Sequence, residues 1–119
     1  DQLLIVDDDK ELLKIYEKIF KMNNFNVLTA SDSLTALELI KKRRIGVIVS
    51  DIIMPKMDGM ILLYKIREIN PSIQMIMLTA EGSISGAVEA VRAGAFTYLL
   101  KPADINELLF NVQRAFELY

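Results

Sequence analysis

Five times along the chain a short apolar run gives way to a longer amphipathic stretch, and this alternation restricts the possible folds more than any other feature. The apolar runs are Gln2 to Val6, Asn26 to Thr29, Gly46 to Ser50, Ile73 to Leu78 and Thr97 to Leu100. Being continuous rather than alternating, they suit strands buried on both faces, as in a parallel sheet covered by helices. The intervening stretches read as helices. In the last, Ile105, Leu108, Leu109, Val112, Phe116 and Tyr119 fall on the i, i+3, i+4, i+7 stripe of one buried face. In the fourth, Ile84, Ala87, Val88 and Val91 follow the same spacing, and Gly94 stands where a helix C-cap glycine would. The sequence itself does not repeat. The pattern predicts a doubly wound α/β fold, whose ligands bind beyond the carboxyl ends of the strands at the point where strand order reverses.

That rule gathers scattered residues onto one edge: Asp7 and Asp8 after the first strand, Asp51 after the third, Thr79 after the fourth and Lys101 after the fifth. In the strand order 2-1-3-4-5 the first and third strands are neighbours, which brings Asp7, Asp8 and Asp51 together. Such crowding is costly. Two unit charges about 4 Å apart repel by roughly 4 kcal/mol at a protein-like effective dielectric. Either the acids in "LLIVDDDKELLKIY" cap a helix or they hold a cation.

Composition narrows the chemistry. At 119 residues, with 52% hydrophobic and 25% charged residues, the chain is expected to form one domain, residues 1–119, with a substantial core. The formal charge of -2 predicts no bulk attraction to nucleic acid or an anionic membrane. With no cysteine and no histidine, disulfides, thiolate or imidazole metal sites and histidine acid/base catalysis are excluded. Carboxylate, hydroxyl, lysine and backbone chemistry remain. No apolar run reaches the ~20 residues that span a bilayer, and the start does not resemble a signal peptide, so a cytoplasmic location is expected. The chain opens on Asp1 rather than methionine, as a trimmed chain would.

The pieces "IVDDD", "IVSDIIMPKMDG", "MLTA" and "GAFTYLLKP", in this order and spacing, resemble the receiver domain of bacterial two-component response regulators over essentially the whole chain. The resemblance implies a flavodoxin-like (βα)5 fold, a Mg2+ ion and transfer of a phosphoryl group from a phosphohistidine, on a sensor histidine kinase or phosphotransfer protein, to one aspartate. It implies Asp51 as phosphoacceptor, with Asp7, Asp8, Asp51 and the Ile53 backbone carbonyl as the metal site, Asp8 ligating directly and Asp7 mainly through water. Lys101 would supply a point charge to the phosphoryl group and the Thr79 hydroxyl would donate to one of its oxygens. Tyr98 would turn inward after Thr79, reshaping the surface of the fourth helix, fifth strand and fifth helix, through which an effector domain or a second copy would read the signal. Ile53 and Glu81 would flank the path of the water that ends the signal, and the Lys101-Pro102 bond is commonly cis in this family. The stretch from Ser83 to Pro102 most resembles receivers of nitrogen-regulation-type transcriptional activators, so transcription is the expected output. Ala103 departs from the phenylalanine frequent after that proline.

Plainer readings compete at several positions. Asp9 reads as a helix cap, Asp58 with Gly59 as cap and turn chemistry, and Ser83 as a cap of the fourth helix. Thr79 and Lys101 would otherwise be an ordinary strand-end hydroxyl and a surface lysine, and Tyr98 a plain strand aromatic. The basic run Lys41 to Arg44 suits the end of the second helix and a solvated face, with no direct nucleic-acid role. Two other function classes are open: a haloacid-dehalogenase-like phosphatase, from the D-x-D of Asp7 and Asp9, and a phosphorylation-independent interaction module. The first expects threonine or valine where Glu11 stands and a further late acid cluster that is missing here. The second usually lacks an acid or the lysine.

Overall fold

A computed structural model describes residues 1–55, 57–80 and 84–119, and of Ile84 only the backbone. Its described elements are β1 (Gln2–Val6), α1 (Lys10–Met22), β2 (Val27–Ala30), α2 (Ser33–Lys42), β3 (Ile45–Ser50), α3 (Gly59–Ile69), β4 (Gln74–Thr79), α4 (Ile84–Arg92), β5 (Thr97–Leu100) and α5 (Ile105–Leu118). The five strands form one parallel sheet in the order β2-β1-β3-β4-β5, the doubly wound topology expected from the alternation. Strand ends shift by a residue or so from the apolar runs, because pairing carries Ala30 against Val6 and Thr79 against Leu100.

Two apolar layers flank the sheet. One face packs on α1 and α5 through Leu13, Tyr16, Phe20, Leu108, Val112 and Ala115; the other packs on α2, α3 and α4 through Ala36, Ile40, Leu62, Leu63, Ile66 and Ala90. The sheet alternates its side chains between these layers, Leu4 and Val6 to one and Leu3 and Ile5 to the other, which is why every strand residue from Leu3 to Val6 is apolar.

The helix ends follow local chemistry. Asp9 caps α1, Asp32 caps α2, Asp58 caps α3 and Asp104 caps α5, each accepting backbone N–H groups of the first turn. Gly94 closes α4 at φ 105, with the Ala95 N–H donating to the Ala90 carbonyl and the Gly94 N–H to Val91, so the C-cap reading of this glycine holds. The α5 stripe is also as expected in its centre, where Leu108 and Val112 are buried and Ile105, Leu109 and Phe116 pack partly buried beside them.

Helix α4 departs from expectation. Val88 and Val91 belong to the periodic stripe, yet they are 43% and 56% exposed, while Ala90 is fully buried and Ala93 packs beside it. The helix turns Ala90 and Ala93 to the core and Val88 and Val91 outward. Small side chains let a helix lie close to its neighbours, whereas the stripe rule scores apolarity without regard to size.

Candidate functional site

The carboxyl edge of the sheet collects the acids as the topology requires. Asp7 follows β1, its N–H donating to the Ala30 carbonyl at 3.1 Å, and its Oδ1 accepts the Asp9 N–H at 2.9 Å. Asp51 follows β3, with its N–H on the Val6 carbonyl at 3.0 Å and its Oδ1 accepting the Ile53 N–H at 3.2 Å. Both are buried, whereas Asp8 is exposed. One carboxylate oxygen from each of Asp7, Asp8 and Asp51 lies within 4.8 Å of the others. An all-oxygen donor set of this kind fits a hard divalent cation such as Mg2+, which takes carboxylates and keeps several waters. Asp9 is not part of it, because its Oδ1 caps α1 through Glu11 and Leu12.

Lys101 reaches into the same cluster from β5. Its N–H donates to the Thr79 carbonyl at 2.8 Å, and its Nζ donates to Asp7 Oδ2 at 2.6 Å and Asp51 Oδ2 at 2.9 Å. The Lys101-Pro102 peptide is cis. Burial pushes the Asp7 carboxyl up from its ordinary 3.8, against the pull of the Lys101 and Asp9 hydrogen bonds and with the help of the negative Asp51. Burial alone would lower the Lys101 ammonium, but its hydrogen bonds to Asp7 and Asp51 outweigh this and raise it above 10.5. An isolated ion pair would lower its acid. Asp7 rises instead because it is the more enclosed partner and faces a second carboxylate.

The other expected residues are placed as follows. Thr79 ends β4 and is buried, and Tyr98 on β5 is half-buried against the α2, α3 and α4 layer. Ile53 is 59% exposed, and its N–H donates to Asp51 Oδ1. Glu81 and Ser83 lie outside the described residues. Lys41, Lys42, Arg43 and Arg44 are exposed at the end of α2, and Arg44 pairs with Asp1 at 3.5 Å.

Ser50, which sequence reasoning passed over, and Gly59, which it read only as cap and turn chemistry, both adjoin the Asp51 backbone. Ser50 is fully buried and its Oγ donates to the Asp51 carbonyl at 2.9 Å; a hydroxyl ending an otherwise apolar strand was the available signal. Gly59 does more than begin a helix. A Cβ there would lie 2.2 Å from the Asp51 carbonyl oxygen and 2.9 Å from Ile52 Cα, so only glycine lets α3 start this close to the acid.

A parallel sheet in this order, with an acidic trio and a buried lysine converging at its switch point, places the molecule in the flavodoxin-like class of α/β signalling domains. Solved structures bear this out: a CheY-like receiver domain protein from Methanospirillum hungatei JF-1 superposes with a TM-score of 0.93 at 29% identity, covering 98% of this chain and 94% of that one. The beryllofluoride-activated NtrC4 receiver domain dimer gives 0.92 at 32% identity, over 98% and 96%. The chain belongs to the response regulator receiver domain family, which it matches across residues 3–113. Among relatives, Regulatory protein AtoC of Escherichia coli (strain K12) is 37% identical over 118 residues and Transcriptional regulatory protein GlrR of the same strain 36% over 115. The match takes in 99% and 97% of this chain but only 26% of each relative, so the chain spans about a quarter of their length. It is a signalling domain rather than a conventional enzyme. No helix among the described residues is long and apolar enough to cross a membrane.

Proposed function

We propose that this chain, as one receiver domain over residues 1–119, accepts a phosphoryl group on Asp51 from the phosphohistidine of a sensor kinase or phosphotransfer protein. The observation that carries the reading is the Asp51 carboxylate, 9% exposed and held between the Ile53 N–H and Lys101 within reach of Asp7 and Asp8. An Asp51 oxygen attacks the phosphorus, forming the acyl phosphate O–P bond as the donor's N–P bond breaks, and the donor imidazole leaves. Little covalent chemistry falls to the protein; it positions the carboxylate and offsets charge on the transferring oxygens. Lys101, already on Asp51 Oδ2, provides one such charge, and the Thr79 hydroxyl provides a donor for a phosphoryl oxygen. Asp7, Asp8, Asp51 and the Ile53 carbonyl would hold Mg2+, which when bound neutralises charge on the same oxygens. A Borrelia burgdorferi CheX-CheY-BeF3-Mg+2 complex, similar to this chain at a TM-score of 0.91 and 34% identity, supports that choice of ion.

Withdrawal of Thr79 toward the new phosphate, with Tyr98 following, would reshape α4, β5 and α5. An effector domain or a second copy would read that surface, and the transcriptional relatives favour transcription as the output in the cytoplasm. Ile53 and Glu81 would set how slowly the phosphate is lost. The test is incubation with Mg2+ and acetyl phosphate, which should add one acid-labile phosphoryl group. Asp51→Asn should abolish it, and labelling equal to the parent's would refute the assignment. Steady turnover of many phosphate esters would instead favour the haloacid-dehalogenase-like phosphatase.

A further inference from the structure

The amino edge of the sheet, opposite the acids, carries a groove that the scheme above does not use. It lies where α2 and α3 end and β3 begins, and it encloses about 520 Å³. Its floor is apolar, formed by the buried Ile40, Ile45 and Ile73. Ile69 and Tyr119, 45% and 37% exposed, are the apolar walls that a visiting side chain would reach. The Tyr119 ring comes this close to β3 because Gly46 has no side chain: a Cβ there would lie 2.8 Å from Tyr119 Cδ2.

The rim is basic. Lys41, Arg43 and Arg44 line the groove, and no acidic side chain among the described residues joins them. Helix dipoles account for part of this, since α2 and α3 both end here and each C-terminus presents about half a negative charge that attracts cations within the last turn. Lys41 and Lys42 sit in that turn of α2, whereas Arg43 is its C-cap and Arg44 lies beyond it. Arg44 pairs with Asp1 at 3.5 Å, but its side chain is 88% exposed and such a pair contributes little. Four cations set against one carboxylate and two helix ends leave an excess of about two positive charges.

That excess decides what fits. A second copy brings the same bases, so a two-fold contact here is repulsive. A nucleic acid extends beyond the groove, and without these four bases the chain holds ten bases against sixteen acids, a formal charge of -6 that repels it. Phosphates also leave the isoleucine floor unfilled. A short protein segment with carboxylates around a leucine, isoleucine or phenylalanine satisfies both halves of the groove. Its apolar side chain packs on Ile69 and Tyr119, and its carboxylates meet Arg43 and Arg44, whose planar guanidinium groups take a carboxylate through two hydrogen bonds.

We infer that the groove at the amino edge docks an acidic segment of a partner protein, with an apolar anchor set between carboxylates. Binding there leaves the edge that carries Asp7, Asp8 and Asp51 open.

The experiment selects binders of the chain from a displayed library of random octapeptides and measures the enriched sequences as free peptides by fluorescence anisotropy, up to roughly 1 mM. Enriched peptides should carry acids on both sides of a leucine, isoleucine or phenylalanine. Arg43→Glu and Arg44→Glu should each weaken their binding about tenfold or more, and replacing the apolar anchor of the peptide by serine should do the same. Ile69→Ser should weaken it several-fold. Lys10→Glu makes the same change of charge at the opposite edge of the sheet and should leave binding unchanged. All four positions are exposed, so melting curves matching the parent's would confirm that folding is intact. A selection without acidic-apolar peptides, or peptides bound equally well by Arg43→Glu and Arg44→Glu, would overturn the proposal. A short single-stranded oligonucleotide bound more tightly than the peptides at the same salt would overturn it in favour of nucleic acid. Self-association of the chain that the same two variants abolish would overturn it in favour of a second copy.

Discussion

Replacing Gly59 by alanine should disable the site while leaving most of the fold standing. Gly59 is the first residue of α3 and its φ is not in the left-handed region, so alanine meets no backbone penalty there; the cost comes from contact alone. The new Cβ would sit 2.2 Å from the Asp51 carbonyl oxygen, 2.9 Å from Ile52 Cα and 2.9 Å from Met77 Cε. The methionine can swing away. The carbonyl cannot move freely, since the Ser50 hydroxyl and the Asp51 N–H bond to Val6 anchor that peptide on β3. Either α3 backs off by about 1 Å or the end of β3 does. Overpacking of this kind costs about 1–3 kcal/mol, and the entropy alanine removes from the unfolded chain returns about 0.4–1 kcal/mol. A net loss of about 1–2 kcal/mol should lower the melting temperature by roughly 5–10 °C. Misplacing a nucleophile by about 1 Å costs about 100-fold in rate. The assay is thermal melting followed by acetyl phosphate labelling at a temperature where the variant is folded. Met77→Ala in the same background removes only the Cε contact and should not rescue it. A variant that melts within a degree of the parent and is labelled at the parent's rate would show that the close approach constrains nothing.

Asp8→Ala should abolish stabilisation by Mg2+ and, because Asp8 is exposed, caps no helix and lies against two other acids, should raise the metal-free melting temperature; a clear drop would refute stored repulsion. Ile53→Asn should shorten the acyl phosphate lifetime after the donor is removed, since a polar side chain beside Asp51 gives an attacking water a partner, and equal or slower decay would refute a gate there. For pH, the raised Asp7 value means the folded state holds that proton more tightly, so Asp7 contributes a loss of metal-free stability as pH rises from 3.8 through its folded value. Lys101 contributes stability that is complete below 10.5 and lost as pH rises through its own raised value. Denaturant titrations across both ranges should show the acid-side slope in the parent and not in Asp7→Asn.

The alternation of strands and helices was legible because it depends on local signals that repeat, an apolar run, an acid at its end, a helix; the convergence of Asp7, Asp8, Asp51 and Lys101 followed once the strand order common in this class, 2-1-3-4-5, was assumed. Capping was equally legible at Asp9, Asp58 and Gly94, where donor, acceptor and turn lie within a few residues of one another. The outward turn of Val88 and Val91 was not. Periodicity identifies which residues share a face and cannot say which of two apolar faces goes inward when one is made of alanine; that is decided by how close the neighbouring helix and strands allow α4 to come.

Long-range geometry was hidden for a related reason. Lys101 could be read as a charge near the acids, but its grip on Asp7 joins residues 94 apart in the chain and exists only once β1 and β5 occupy their places in the sheet. The same holds for Gly59, whose neighbour Asp58 accounts locally for the dipeptide by accepting the Ile61 N–H, so nothing in the sequence calls for a further explanation. The close approach then joins the two ends of one loop: the Gly59 N–H donates to the Ile52 carbonyl at 2.6 Å, so the residue that starts α3 is bonded to the one that follows the acid. A change at Asp51 that pulls on its own backbone must therefore be felt at the start of α3 within a single contact.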